Sequence, residues 1–211
     1  MARAGELIEG FGMFPLGNPL LPGARIPLHV FEPRYRALVE HCVAGDREFG
    51  VVLIERGSEV GGGDTRFAVG TIARIEEVQR FEDGRYALLA LGTERIRIEA
   101  WRSDAPYPSA VVRVLAEPEP GPGAAASRRD LADAWGRVCE LAAALGVDLG
   151  AEPLPADPLE AVWFAAARGI TGPLDAHRVL AADDLDVRFA TLLDALAGTE
   201  IMLRHRLDGD R

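Results

Sequence analysis

The side chains that could carry out chemistry are few and scattered in this sequence. All 23 basic residues are arginine and none is lysine. A Walker A phosphate loop, a Schiff base and a Ser-Lys dyad each require a lysine, so the sequence excludes all three. None of the four serines lies in the Gly-x-Ser-x-Gly elbow that exposes a nucleophile in many hydrolases. The residue types therefore exclude lysine-dependent chemistry and give no sequence signature of a serine hydrolase, while a triad assembled by the fold stays open at this point.

The histidines, cysteines and carboxylates do not form a metal-binding pattern either. His29, His41, His177 and His205 are dispersed, and none has another His or Cys three or four residues away. Helical zinc sites use that spacing, so we predict no metal and no cofactor. The glycine-rich segment 57–64 lacks the lysine and the following helix of a phosphate-binding loop, and we interpret it as a mobile hairpin connection.

Charge and hydropathy narrow the class of partner. The net charge is −10 and the isoelectric point is near 4.9, with most of the acidic excess in residues 117–211. Affinity for nucleic acid comes mainly from cationic side chains that displace counterions from phosphates, so we expect no nucleic-acid partner. No apolar run approaches the ~20 residues of a membrane span, and we expect no membrane association. Two widely spaced cysteines and no visible signal peptide predict a cytoplasmic protein.

Residues 1–116 have the pattern of a β-rich domain. Runs typical of strands occupy residues 49–54, 67–78, 86–91, 95–101 and 110–115. The Asp83-Gly84 dipeptide predicts a tight hairpin turn, and alternation in 95–101 places Ile96 in the core and Arg95 on the exposed face. About six strands are enough to form a small barrel. One inserted helix is predicted from Pro33 to Gly45.

The remainder of the chain has helical spacing. The linker 117–123 contains three prolines and two glycines, and we place the domain boundary there. In residues 124–211, four helices are predicted: Ser127 caps the first, the second and third begin at Asp157-Pro158 and Pro173, and Asp183 caps the fourth. Together they predict a helical bundle, which makes the chain an α+β protein.

An unusual proline-rich stretch runs from Met13 to Tyr35. Its prolines keep the backbone extended and remove amide donors, which suits a barrel edge or the wall of a groove. Within and after it lie short motifs in a fixed order: Phe14-Pro15-Leu16, Leu21-Pro22-Gly23, Pro27-Leu28-His29-Val30-Phe31-Glu32-Pro33-Arg34-Tyr35, Phe49-Gly50-Val51, Val69-Gly70-Thr71, Asp83-Gly84-Arg85, Gly92 to Ile98, and Pro106-Tyr107. As an ordered series across residues 11–116, they closely resemble the N-terminal substrate-recognition domain of Lon protease.

The resemblance implies a fold and a function. The fold is a PUA-like β-barrel followed by a helical bundle, in agreement with the strand and helix patterns. The function is non-catalytic binding of exposed apolar segments of unfolded or client polypeptides, as in a proteolysis adaptor. Such a module would need an apolar groove, and an extended proline-rich edge can offer a strand to a peptide.

Eight residues are candidates for this peptide-binding site. Phe14, Leu16, Phe31 and Tyr35 could supply apolar contacts, Arg34 or Arg95 could hold a carboxylate or carbonyl, and His29 and Glu32 complete the set. Structural roles are open for each of them: Phe31 and Tyr35 could fasten the helix to the barrel, and Glu32 and Arg34 could form a local ion pair or cap.

Three further possibilities follow from the sequence. A closed polar pocket near His29, Glu32 and Arg95 would indicate a small-molecule binder or an enzyme. A contiguous arginine face would indicate an RNA-binding PUA-like module, which rests on analogy of fold. A barrel with extended edges could also form a homodimer by pairing them.

Overall fold

The chain divides into two compact units, Met1–Glu117 and Pro118–Arg211, in a computed structural model that describes residues 3–56, 65–102, 104–150, 152–168 and 172–209. The first unit contains all six strands found in these residues, and the second contains only helices. The α+β class predicted from the sequence is confirmed. The predicted connection at 57–64 lies outside the described residues.

The first unit is a barrel with one additional strand. Its elements are β1 (Leu7–Leu16), β2 (Arg25–Val30), α1 (Pro33–Ala44), β3 (Glu48–Arg56), β4 (Thr65–Arg80), β5 (Tyr86–Trp101) and β6 (Ser109–Val114). The sheet order is β2-β5-β4-β3-β1-β6, and β5 also pairs with β6, which closes a ring of five strands. Only β1 and β3 run parallel among the paired strands of the described residues. Strand β2 lies outside the ring. It pairs with residues 86–91 of β5, along the same edge of β5 whose residues 96–101 pair with β6.

Strand β5 is longer than the sequence predicts. We predicted separate strands at 86–91 and 95–101, but a single strand spans Tyr86–Trp101. Gly92 lies at the join, where a Cβ atom would collide with the carbonyl oxygen of Leu21. The absence of a side chain allows the segment before β2 to cross β5 there without breaking it.

Two apolar clusters form the core of this unit. Because successive strand residues point to opposite faces, neighbouring residues of one strand enter different clusters. Met13 packs with Ile72 and Ile96, whereas Phe14 packs with residues of α1 and β2. Helix α1 buries Tyr35, Leu38, Val39 and Cys42 in the second cluster. This cluster therefore joins α1 to the part of the sheet that carries β2.

The second unit consists of α2 (Ala124–Ala144), α3 (Pro158–Ala166), α4 (Pro173–Ala181) and α5 (Leu185–Gly209). Asp157, near which a helix start is predicted, accepts a hydrogen bond from the Glu160 amide and so caps α3. The predicted Ser127 cap is wrong, since the alanines before it extend α2 back to Ala124. The predicted Asp183 cap is displaced by one residue, because the Asp184 carboxylate accepts the Val187 amide.

Candidate functional site

A groove lies between strand β2 and the first turn of α1 in the first unit. Phe31 and Glu32 separate the two elements, Glu32 is extended with φ −66° and ψ 136°, and Pro33 begins the helix. Proline has the backbone angle of a first helical residue and lacks an amide that would be unpaired there. The chain therefore passes directly from strand to helix, and residues 27–32 together with Tyr35 line the groove between them.

This α1 groove has a volume of about 210 Å³. Six of the eight predicted site residues line it: Phe14, Leu16, His29, Phe31, Glu32 and Tyr35. Pro27, Leu28 and Val30 complete the wall, so most of the lining is apolar. The structure thus gathers most of the predicted set at one place, although its members differ in exposure.

The aromatic residues of the α1 groove divide into a buried pair and an exposed ring. Phe14 stacks on Tyr35 with ring centroids 4.0 Å apart, and both side chains are buried. These two rings fasten α1 to β1 and form the floor of the groove. Phe31 is 55% exposed, so its ring is available for contact with another molecule.

A second groove lies on the other side of the Phe31 segment. This hairpin groove has a volume of about 150 Å³. It is lined by the last two residues of β2, by Phe31 directly after them, and by Phe81, Arg85 and Tyr86 of the β4–β5 hairpin. Tyr86 donates a hydrogen bond to Glu40 at 3.1 Å, and burial raises the pKa of its phenol. The Tyr86 phenol is therefore neutral and held in place, and its ring forms part of the groove wall.

A third groove runs over the sheet. This sheet groove, of about 230 Å³, is lined by residues 27–29 of β2 and by residues 77–79 and 87–89 of the neighbouring strands. His29 is exposed and lines all three grooves. We refer to the α1, hairpin and sheet grooves together as the β2 surface.

Ion pairs within the chain surround the β2 surface. Arg34 donates to Glu32 at 3.1 Å, and its guanidinium lies 4.4 Å from the centroid of the Tyr35 ring. The Glu32 side chain thus forms a local ion pair and no cap. At the hairpin, the Arg85 amide and guanidinium both donate to Asp83, which lowers the pKa of that carboxyl. Arg25 pairs with Glu76 at 2.8 Å.

Arg95 lies apart from the other predicted site residues. Its side chain is 0% exposed, and it donates to the Glu117 carboxylate at 2.8 Å and to the Ala116 carbonyl at 3.1 Å. The expectation of an exposed Arg95 is wrong, because this guanidinium anchors the segment that follows β6. A polar pocket built from His29, Glu32 and Arg95 is likewise not formed.

Sequence reasoning missed the contributions of Leu28, Phe81 and Arg85. The alternation of Ile26, Leu28 and Val30 is a strand signal that could have identified β2 as the wall of the groove. Phe81 and Arg85 flank the predicted hairpin turn, but only the pairing of β2 with β5 brings that turn to the site.

The described residues contain neither a metal-binding cluster nor a helix suited to spanning a membrane. No group of three or more His, Cys, Asp or Glu side chains in this part of the chain is arranged to hold a metal ion. None of its helices combines the length and apolar character needed to cross a membrane.

Comparison with known proteins gives consistent matches. A family model described as the ATP-dependent protease La (LON) substrate-binding domain matches residues 12–198. Lon protease 2 of Herpetosiphon aurantiacus is 34% identical over 110 residues, which are 51% of this chain and 13% of that protein. Lon protease of Flavobacterium johnsoniae is 31% identical over 117 residues, which are 54% of this chain and 14% of that protein. This chain therefore spans only a small part of the length of these relatives.

Solved structures match over most of the chain. A Lon N-terminal domain protein from Xanthomonas campestris is 27% identical with a TM-score of 0.60, and the match covers 89% of this chain and 98% of that one. The N-terminal domain of Mycobacterium avium complex Lon protease is 19% identical with a TM-score of 0.66, covering 90% and 98%. The second match concerns the fold alone.

Proposed function

This chain belongs to the family of LON substrate-binding domains, and we propose that it binds exposed apolar segments of unfolded or client polypeptides at the β2 surface. The observation that carries this proposal is the position of Phe31. A large apolar ring, 55% exposed, forms part of the walls of two adjoining grooves. Burial of apolar surface is the main favourable term in such association.

The shape of the β2 surface supports a polypeptide ligand rather than a small molecule. Its three grooves adjoin one another along β2 and open outward, and each shares His29 with the other two. An extended segment could follow β2 and place successive side chains in different grooves. A small ligand would instead need one enclosed cavity with a few convergent polar groups.

The charges around the β2 surface support recognition by apolar contact. Arg25, Arg34 and Arg85 each pair with a carboxylate of the same chain. Paired arginines present little net positive charge to a phosphate backbone, so RNA is a less suitable ligand than an apolar peptide. We infer that binding depends only weakly on salt concentration.

Binding of this kind requires no chemical step by the chain itself. The groove residues hold a segment in place, and the reaction on the client belongs to a protease on the same or on a separate polypeptide. In the second case this chain would act as a proteolysis adaptor.

The direct test compares the binding of this chain to the unfolded and native forms of one client protein. The full chain is titrated with reduced, carboxymethylated lactalbumin, which stays unfolded, and with native lactalbumin as the matched control. We expect binding to the unfolded form alone, with an affinity that changes less than about threefold between 50 and 200 mM salt. Equal binding to both forms, or no binding to either, would refute the proposal. A steep loss of affinity with salt would favour an electrostatic ligand instead.

A further inference from the structure

Strand β2 presents a sheet edge in the described part of the barrel. It lies at one end of the strand order and pairs with β5 along residues 25–30. No other strand of the described residues pairs with its far side. An edge of this kind is a template on which a further extended chain can form hydrogen bonds.

The register of β2 and β5 identifies the backbone groups on that edge. The Gly92 amide donates to the Ala24 carbonyl at 2.8 Å just before β2 begins. Bonded positions alternate in an antiparallel pair, so the bonds to β5 fall at Ile26, Leu28 and Val30. The backbone groups of Arg25, Pro27 and His29 consequently point away from β5, and all three residues are exposed.

The edge of β2 lacks one backbone amide donor, at Pro27. Arg25 and His29 each offer an amide donor and a carbonyl acceptor, whereas Pro27 offers only a carbonyl. A second copy related by a twofold axis at this point would set two prolines opposite each other and lose both of their bonds. A segment without proline at that position still donates to the Pro27 carbonyl. In this register the edge therefore suits a different chain better than a copy of itself.

The two faces of β2 differ in the side chains that an added strand would meet. Ile26 and Leu28 pack against the cluster that includes Phe14 and Tyr35, on the side of the α1 groove. Pro27 and His29 alternate with them and are more exposed, and they border both the α1 groove and the sheet groove. An added strand would direct every second side chain to each face.

We propose that the β2 edge binds client segments as an additional strand, selecting those with apolar side chains at every second position. This inference rests on the proposed function and specifies its substrate class: segments that form amphipathic strands in the folded client and become exposed when it unfolds. Backbone bonds to residues 25, 27 and 29 would hold the segment, and alternate apolar side chains would enter the α1 groove.

The test uses a fluorescein-labelled peptide about nine residues long, with leucine or phenylalanine alternating with serine or threonine. Its control has the same composition with the apolar residues at helical spacing. Fluorescence anisotropy with the full chain should give an affinity at least about fivefold higher for the alternating peptide. Each peptide amide is then methylated in turn, which removes one donor without changing the side chain.

We expect an alternating response to methylation. Methyl groups at every second position should weaken binding at least about tenfold, while those between them change it less than about twofold, because only one set of amides faces β2. The variant Pro27→Ala, which restores a donor to the edge, should bind the parent peptide as tightly or more tightly. Light scattering at the same concentrations should give a monomer.

Other results separate the two proposals. Uniform tolerance of methylation, or equal binding of both peptides, would overturn strand addition while leaving apolar binding intact. Binding to unfolded lactalbumin but not to the alternating peptide would likewise overturn strand addition and leave apolar binding intact. If neither ligand binds, the proposed function fails as well. A dimer that becomes tighter in Pro27→Ala, and that the peptide cannot dissociate, would show instead that a second copy of the chain occupies the edge.

Discussion

Replacing Phe31 with alanine should weaken client binding without weakening the fold. The Phe31 ring is 55% exposed in the free chain, and a bound segment would cover much of that area. Complete burial of a phenylalanine side chain contributes about 1.5–3 kcal/mol, so covering roughly half of it contributes about 0.8–1.5 kcal/mol. The dissociation constant should therefore rise about fourfold to twelvefold in Phe31→Ala.

Leu7→Ala provides a matched control for this substitution. Leu7 is 47% exposed, belongs to the same unit and lines none of the three grooves. Both variants lose exposed apolar area, so each should change the free energy of unfolding by less than about 1 kcal/mol. Anisotropy with unfolded lactalbumin gives the affinities, and urea denaturation gives the stabilities. Equal affinities for Phe31→Ala, Leu7→Ala and the unmodified chain would refute the role assigned to Phe31.

Three further substitutions or modifications test the structural roles described above. Phe14→Ala should lower the free energy of unfolding by about 3–5 kcal/mol, because it leaves a cavity beneath Tyr35; a loss below about 1 kcal/mol in urea denaturation would contradict its burial. Arg95→Met should cost about 2–3 kcal/mol by removing the donors to Glu117, with unchanged client affinity in the folded protein; weaker binding at full stability would make Arg95 a ligand contact. Burial raises the pKa of the Cys42 thiol to about 12, so at pH 8 a disulfide reagent should modify Cys139 well before Cys42; equal rates would contradict that environment. Because folding raises the pKa of the Cys42 thiol, ionisation of that thiol favours the unfolded state. The free energy of unfolding should therefore be unaffected by Cys42 below pH 9 and should decline as pH rises towards 12.

The local features of the fold were predictable from the sequence for physical reasons. Pro33 and Gly45 mark the limits of α1 because one favours the first helical turn and the other ends the helix. Asp83-Gly84 marks the hairpin because Gly84 adopts a positive φ of 79°. Most of the candidate site was predictable because its residues are close in sequence and the turn after β2 keeps them together.

Long-range features were not predictable in the same way. Alternation in residues 95–101 indicates two faces, but it does not reveal that Glu117 returns to cover Arg95. Phe81 and Arg85 reach the β2 surface only because β2 pairs with β5, which depends on strand order. The position of β2 outside the closed ring is also a property of the whole topology, since the same strand pattern is compatible with either location.

Amide chemical shifts of the full chain would show at which residues the β2 surface contacts an apolar polypeptide segment. An isotope-labelled sample is titrated with reduced, carboxymethylated lactalbumin, with native lactalbumin as the control. The largest shift changes should fall in residues 25–35 and 81–86, where the grooves adjoin Phe31. Changes confined to residues 118–211, or to the far end of the barrel around Leu7, would contradict binding at the β2 surface.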